Sequence, residues 1–294
     1  MATRPSLTSS LLLAGGAYAL SLAVLWARQT DLLYRAPRKV LCADEPEGLL
    51  PAQGTDPALR GWVDGPRETA ECMIYFGGSS ESVELRRENL AGSCPEMTRY
   101  FMPYRGFGPN RGMKITEAGI KSDALRLFDT LASRHDCVHV VARSLGTGVG
   151  LSVAARRPVD RLALITPYDS IANVAGEKYR AIPTGRLLRD RFESWRDAPL
   201  VKTPALVCLA GKDKVISPKR WEELRRHFTV SPIEELFGQC DHTNIAACEG
   251  MWSRIGHHLS GLPALSPAQV QEAISDIPSS AIQEFLEVGR RALR

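Results

Sequence analysis

Within residues 137–168 the chain runs from one apolar strand pattern, CVHVVA (137–142), through a helix pattern, LGTGVGLSVAARR (145–157), into a second apolar strand pattern, RLALITPY (161–168). Each strand run is apolar at most consecutive positions rather than at alternate ones. Such a strand has to be covered on both faces, and two of them joined by a single helix pair in parallel with that helix as the crossover. The alternation extends in both directions. ECMIYFGG (71–78) and RYFMPYRGFG (99–108) read as strands that end in turns. ITEAGIKSDALRLFDTLASRH (115–135) carries an apolar helical stripe at Ile120, Ala124, Leu127, Phe128 and Leu131, with a start at Thr116-Glu117. Further on, strand PALVCLAG (204–211), helix PKRWEELRRHF (218–228), strand SPIEELFG (231–238) and helix TNIAACEGMWSRIGHHL (243–259) follow in turn. The expected class is therefore α/β: a mostly parallel, doubly wound sheet with helices on both faces.

The domain reading places an N-terminal anchor at 1–30, a linker and lead-in segment at 31–68 that passes into irregular or edge-strand structure, and the α/β domain at 69–262. A loop-rich insert at 170–200, with the charged stretch AIPTGRLLRDRFESWRDAP, forms a small cap. A tail at 263–294 holds two more helices, opened by the capping boxes Ser266-Pro267-Ala268-Gln269 and Ser280-Ala281-Ile282-Gln283.

The serine at the tip of the central strand has two readings. In VVARSLGTGVG (140–150) Ser144 is either an N-cap or a nucleophile held in a sharp strand-turn-helix. The second reading needs small residues two before and two after, and Ala142 and Gly146 meet that need, with alanine where glycine is usual. A nucleophilic serine also needs a base and a carboxylate that orients the base. Ligands in open parallel sheets bind beyond the carboxyl ends of the strands. LAGKDKVISP puts Asp213, and FGQCDHTNI puts His242, just past two later strands, in the order Ser…Asp…His. Asp169, after RLALITPY, is the rival acid. Asp241 adjoins His242 in the chain and points the wrong way. His135, His139, His227, His257 and His258 fall within or at the ends of strands and helices. The oxyanion of a tetrahedral intermediate requires fixed N–H donors. The amide of Leu145, at a helix N-terminus, is the first. The loop Phe76-Gly77-Gly78-Ser79-Ser80-Glu81 supplies the second, with Gly78 expected and Ser79 next.

The chain has 294 residues, 44% of them hydrophobic, and a net charge of +4. That excess lies in residues 1–40, where Arg4, Arg28, Arg35, Arg38 and Lys39 oppose Asp31 alone, so the rest of the chain is balanced. A nucleic-acid binder would carry its basic excess on the folded domain, so no nucleic-acid partner is expected. The basic residues instead flank LTSSLLLAGGAYALSLAVLWA (Leu7 to Ala27), uncharged and about 31 Å long as a helix, which matches a bilayer core. A retained single-pass membrane anchor is expected. Two alternatives are a cleaved signal peptide with its site at Ala17-Tyr18-Ala19, which would leave LSLAVLW exposed, and a buried core helix of the domain, whose removal would expose apolar surface. Basic residues after the span favour a cytoplasmic domain. Seven cysteines without metal-type spacing fit a reducing compartment, although Cys240 and Cys248 flank His242. The anchor is expected to be separable, with a chain starting near Arg35 keeping fold and activity.

PYRGFGPNRG (103–112), ARSLGTGVG (142–150), AGKDKVISP (210–218) and CDHTNI (240–245) resemble the α/β-hydrolase fold serine hydrolases. The N-terminal span followed by DLLYRAP (31–37) is similar to the membrane-anchored branch of α/β-hydrolase domain proteins. The resemblance covers roughly residues 30 to 260. It implies a serine hydrolase acting on an ester, thioester or amide, with Ser144, Asp213 and His242 catalytic and Gly78 and Leu145 as oxyanion donors. The implied substrate is a small acyl compound or a lipid, with no metal and no cofactor. Phe76 stands where the family often has histidine, which leaves a backbone donor in place. A catalytically inert, membrane-tethered interaction protein on the same fold is the rival, and an acyltransferase would use the same residues.

Overall fold

The structure is a computed structural model that describes residues 7–37, 40–52, 54 and 57–261. Eight strands form one sheet. They are β1 (Glu47–Leu50), β2 (Leu59–Asp64), β3 (Glu71–Phe76), β4 (Thr98–Phe101), β5 (Cys137–Arg143), β6 (Leu162–Ile165), β7 (Ala205–Ala210) and β8 (Ile233–Phe237). Their spatial order is β1-β2-β4-β3-β5-β6-β7-β8. The β1/β2 and β2/β4 pairs are antiparallel, and every other pair is parallel. Residues 31–68 therefore add two edge strands to the parallel sheet.

The apolar strand runs do what their pattern demands. On β5, Val140 and Ala142 point to one face and Val141 to the other, as the two-residue period of a strand requires. The first face is covered by α3 (Glu117–Ala132), α4 (Leu145–Ala154) and α8 (Pro218–Arg225), through Ile120, Leu127, Val149 and Trp221. The second is covered by α2 (Arg87–Ser93) and α9 (Met251–Ser260), through Leu90, Trp252, Ile255 and Leu259. α3 begins where expected: Thr116 caps it by accepting the N–H of Gly119. The single helix expected over 243–259 is instead a 3-10 turn, Asn244–Ala247, followed by α9. Gly250 breaks it with φ at 77°, in the left-handed region.

The insert holds α5 (Ile171–Lys178), α6 (Thr184–Leu187) and α7 (Ser194–Asp197), so the charged stretch 181–199 makes short turns rather than one helix. Ser170 caps α5, and Glu117 at the start of α3 accepts the N–H groups of Arg191 and Phe192, which pins the insert to the sheet's helices. The tail at 263–294, with its expected helices, lies outside the described residues.

Leu7 to Ala27 forms most of α1 (Leu7–Tyr34). Among the described residues no helix is long and apolar enough to cross a membrane, which corrects the expected transmembrane span. The helix runs on past Arg28, Gln29 and Asp31, and its last turns pack on the domain. Tyr34 is 1% exposed, belongs to the core and donates to Asp190, 2.8 Å away. Gln29 Oε1 accepts the N–H of Arg189 at 2.7 Å, and the Arg189 guanidinium sits over the Trp26 ring. A chain starting at Arg35 would lack Tyr34, a core residue. The N-terminal half, by contrast, leaves Leu11, Leu13 and Leu20 exposed.

These two halves predict opposite mutational costs. Tyr34→Ala should lower stability by about 3–5 kcal/mol, as large aromatic truncations in cores do. Leu20→Ala on the same helix should cost less than about 0.5 kcal/mol. Urea unfolding of both variants checks the contrast.

Candidate active site

β5 ends at Arg143 and α4 begins at Leu145, so Ser144 alone makes the turn. It does so with φ 50° and ψ −120°, a region costly for any residue with a Cβ. Ser144 occupies the N-cap position of α4, yet its side chain makes no capping bond. Its Oγ instead lies 2.9 Å from His242 Nε2. The N-cap reading therefore fits its backbone place and not its hydroxyl.

The turn is this sharp because the residues after it are small. A Cβ on Gly146 would sit 2.2 Å from the Phe76 carbonyl oxygen, where the elbow passes the end of β3. A Cβ on Gly150 would lie 2.9 Å from the Ala142 methyl. Alanine at 142 is thus accommodated by glycine one helical layer on. Below the turn, Tyr168 donates to the Leu145 carbonyl at 3.1 Å.

His242 Nδ1 lies 2.8 Å from Asp213 Oδ2. The other oxygen of Asp213 accepts the N–H groups of Val215 and Ile216, both at 2.8 Å, so the carboxylate is fixed by its own loop. The structure brings Ser144, His242 and Asp213 into one hydrogen-bonded line, from the ends of three strands that lie within four neighbouring positions of the sheet. Asp169 stands apart from it. That residue is buried, accepts from Ser170, Asn173 and Arg220, and holds the insert to α8. The Asp241 carboxylate accepts the amides of Asn244 and Thr243, which hold it below its usual range. His135, His139, His227 and His258 are engaged by Tyr100, Glu71, the Trp195 ring and backbone carbonyls respectively. A disulfide joins Cys240 and Cys248, with 6.4 Å between their Cα atoms, and so closes the loop that carries His242. Among the described residues no group of three or more His, Cys, Asp or Glu could hold a metal ion.

The oxyanion loop differs from expectation. The Gly78 N–H, the expected second donor, is taken by Glu81 Oε2 at 2.8 Å. Glu81 N–H closes the turn onto the Gly78 carbonyl, so the turn's own bonds use neither the Ser79 nor the Ser80 amide. Gly78 still passes over Ser144, since a Cβ there would lie 3.5 Å from Ser144 Cβ. Leu145 opens α4, and its amide has no intrahelical acceptor. Tyr104 holds the loop from below, donating to the Gly77 carbonyl at 2.7 Å.

Four residues near the site carried no sequence signal that separated them from ordinary core or surface groups: Glu81, Arg143, Tyr104 and Tyr168. Burial pulls the Arg143 guanidinium down, but the Glu81 carboxylate together with Tyr75 and Asp213 outweighs it, and the net shift is upward. Burial pushes the Tyr104 hydroxyl well above its usual range. A cavity of about 560 Å³ opens beside Asp213, between Thr166, Ile216, Trp221 and Leu236; Ser144 and His242 do not line it.

No family model matches the chain. An uncharacterized protein of Mycobacterium tuberculosis is 32% identical over 125 residues, covering 41% of this chain and 44% of that protein, so the match spans less than half of the relative. Solved structures resemble the whole fold. A Pyrococcus furiosus esterase aligns with a TM-score of 0.60 at 15% identity, covering 77% of this chain and 97% of that one. An enol-lactonase from Burkholderia xenovorans gives 0.54 at 17%, over 69% and 96%. An acetyl xylan esterase from a Paenibacillus species gives 0.54 at 14%, over 82% and 94%. The chain has the α/β-hydrolase fold.

The crossing at Gly146 yields a prediction. Gly146→Ala puts a methyl against backbone that cannot rotate away, and should cost about 1–3 kcal/mol or more. Urea unfolding should show that loss.

Proposed function

We propose that the protein is a serine hydrolase that cleaves an ester, thioester or amide through an acyl-enzyme. The observation that carries this reading is Ser144 Oγ, lifted out of its capping position by a strained turn and set 2.9 Å from an imidazole nitrogen. In the first half-reaction His242 Nε2 takes the proton from Ser144 as Oγ bonds to the acyl carbon. Asp213, on Nδ1, holds the tautomer in which Nε2 is the acceptor and balances the imidazolium that forms. The carbonyl electrons move to an oxyanion that rests on the Leu145 amide and, because Gly78 is engaged, on the Ser79 amide. Collapse of the intermediate breaks the bond to the leaving group, which takes the proton from His242. Water then enters by the same route in reverse and frees the acid and Ser144. No step needs a metal or an organic cofactor.

The substrate class follows the esterase and lactonase names of the fold neighbours only in outline: a small acyl compound or a lipid acyl chain. A lipid surface is the proposed partner. α1 presents exposed Leu11, Leu13, Leu20 and Trp26, and Arg28 and Arg189 lie at the same end of the helix as the insert. Apolar contact with basic flanks favours an anionic membrane face. On this reading the enzyme lies against a membrane surface through the exposed face of α1, without a span.

Three experiments test these readings. A fluorophosphonate probe should label the wild-type protein and not Ser144→Ala. Asp213→Asn should lower turnover of a p-nitrophenyl ester about 10⁴-fold, whereas Asp169→Asn should lower stability more than turnover. Labelling of Ser144→Ala would end the nucleophile assignment. In flotation, the full chain should rise with vesicles containing phosphatidylserine, and replacing Leu11, Leu13 and Leu20 by serine should leave it at the bottom of the gradient.

A further inference from the structure

The buried ion pair Glu81–Arg143 joins the three loops that carry the chemistry. Glu81 has a side chain only 5% exposed. Its Oε2 accepts the Gly78 N–H at 2.8 Å and pairs with Arg143 Nη1 at 3.0 Å. Its Oε1 accepts from the Tyr75 hydroxyl at 3.1 Å and lies 3.0 Å from Arg86 Nε. Arg143 directly precedes Ser144, and its Nη2 donates to the His242 carbonyl at 2.8 Å, with Thr243 O at 3.5 Å. One carboxylate thus holds the oxyanion loop, one guanidinium holds the loop of the base, and the guanidinium is rooted in the strand that delivers the nucleophile. None of these contacts is to Ser144 Oγ or to the imidazole.

We propose that Glu81 and Arg143 are positioning residues of the hydrolase reaction: they fix the Gly77–Ser80 loop and the His242 loop on either side of Ser144. The inference rests on the serine-hydrolase reading above. Glu81 decides which amide of the oxyanion loop faces the nucleophile, because it consumes the Gly78 N–H and turns the following residues back over the elbow. Arg143 sets the height of His242 by its carbonyl rather than its ring. The pair is also neutral as a unit, so it places no net charge beside the base. A loop-packing residue of the ordinary kind needs no charge, and a surface ion pair would hold no loop; here both partners are enclosed, and their bonds reach the Gly78 turn and the His242 loop while Tyr75 and Arg86 hold the other carboxylate oxygen.

Neutrality makes the proposal testable by sign. His242 is faced by Asp213 and Ser144, with Asp241 next in the chain and Arg143 bound to its carbonyl; Glu81 is faced by Arg143, Arg86 and Tyr75. Glu81→Gln keeps an acceptor for Gly78 but leaves Arg143 positive beside the base, so the acid limb of the kcat/KM profile should move to lower pH. Arg143→Gln leaves Glu81 under-compensated, so the same limb should move to higher pH. Each shift should be about half a pH unit, and Glu81→Gln/Arg143→Gln should return the limb to its wild-type position. Glu81→Ala, which frees the Gly78 amide, should lower kcat about 10²-fold with KM changed less than about threefold, the size of losing one oxyanion donor. The rates are those of a p-nitrophenyl ester, normalised to sites titrated with a fluorophosphonate, so that loss of folded protein does not count. A merely structural role would lower the titratable fraction and leave the per-site kcat and the acid limb unmoved. That result in Glu81→Gln, the isosteric variant, and in Arg143→Gln would overturn the proposal. A wild-type protein that no fluorophosphonate labels would instead overturn the hydrolase reading itself, and this inference with it.

Discussion

The structure depends on one close approach of backbone to backbone, where the start of α4 crosses the end of β3. At Gly146 there is no room for a methyl group, because the Phe76 and Gly77 carbonyl oxygens lie within 2.7 Å of where it would be. That crossing lets α4 leave the sheet at once and forces Ser144 to turn within a single residue. The cost is a left-handed backbone at Ser144, of order 1–3 kcal/mol. It is held in place because β5 is enclosed on both faces and hydrogen-bonded to β3 and β6 along its length. A hydroxyl that would have capped a helix is redirected toward an imidazole. Strain at Ser144 and burial of its strand are two sides of the same geometry.

The remaining side chains reach Ser144 because a parallel sheet puts all its strand-to-helix loops on one end. β5, β6, β7 and β8 are neighbours in that order, so the loops after β7 and β8 arrive beside the elbow without any long excursion. Each loop is stiffened locally. Asp213 accepts two amides of its own turn, and the His242 loop is closed by the Cys240–Cys248 bond and tied to Arg143. Asp169, at the end of β6, has the same topological opportunity as Asp213. It is lost to the base because Arg220 and the start of α5 consume its oxygens. Which carboxylate serves the imidazole is thus decided by competition for hydrogen bonds.

The insert and α1 form a second layer over this end of the sheet. Asp169, Glu117 and Asp190 hold the insert to α8, α3 and Tyr34 respectively. The end of α1 enters the core through Tyr34, while Leu11, Leu13 and Leu20 at its beginning are exposed and Tyr18 donates to the Ala181 carbonyl of the insert.

The local signals were strong where a single residue type answers a single constraint. Consecutive apolar positions in CVHVVA and RLALITPY required a parallel, doubly covered sheet. The small residues around Ser144 marked the elbow, and the order of Ser144, Asp213 and His242 at strand ends followed from the alternation. These properties depend on neighbours along the chain, so they are written in it. The extent of α1 was misjudged because apolar composition stops at Ala27 while the helix stops only where Tyr34 enters the core. Gly78 was chosen as an oxyanion donor because glycine permits close approach, but its N–H points to Glu81, a partner defined by the turn and by Arg143. Arg143 and Glu81 are 62 positions apart in the chain, and nothing in either segment announces the other. The sequence alone determined the kind of sheet and the candidate nucleophile, base and acid; tertiary structure decided which amide, which carboxylate and which charges surround them, because hydrogen bonds are allotted only when distant loops compete for the same donors.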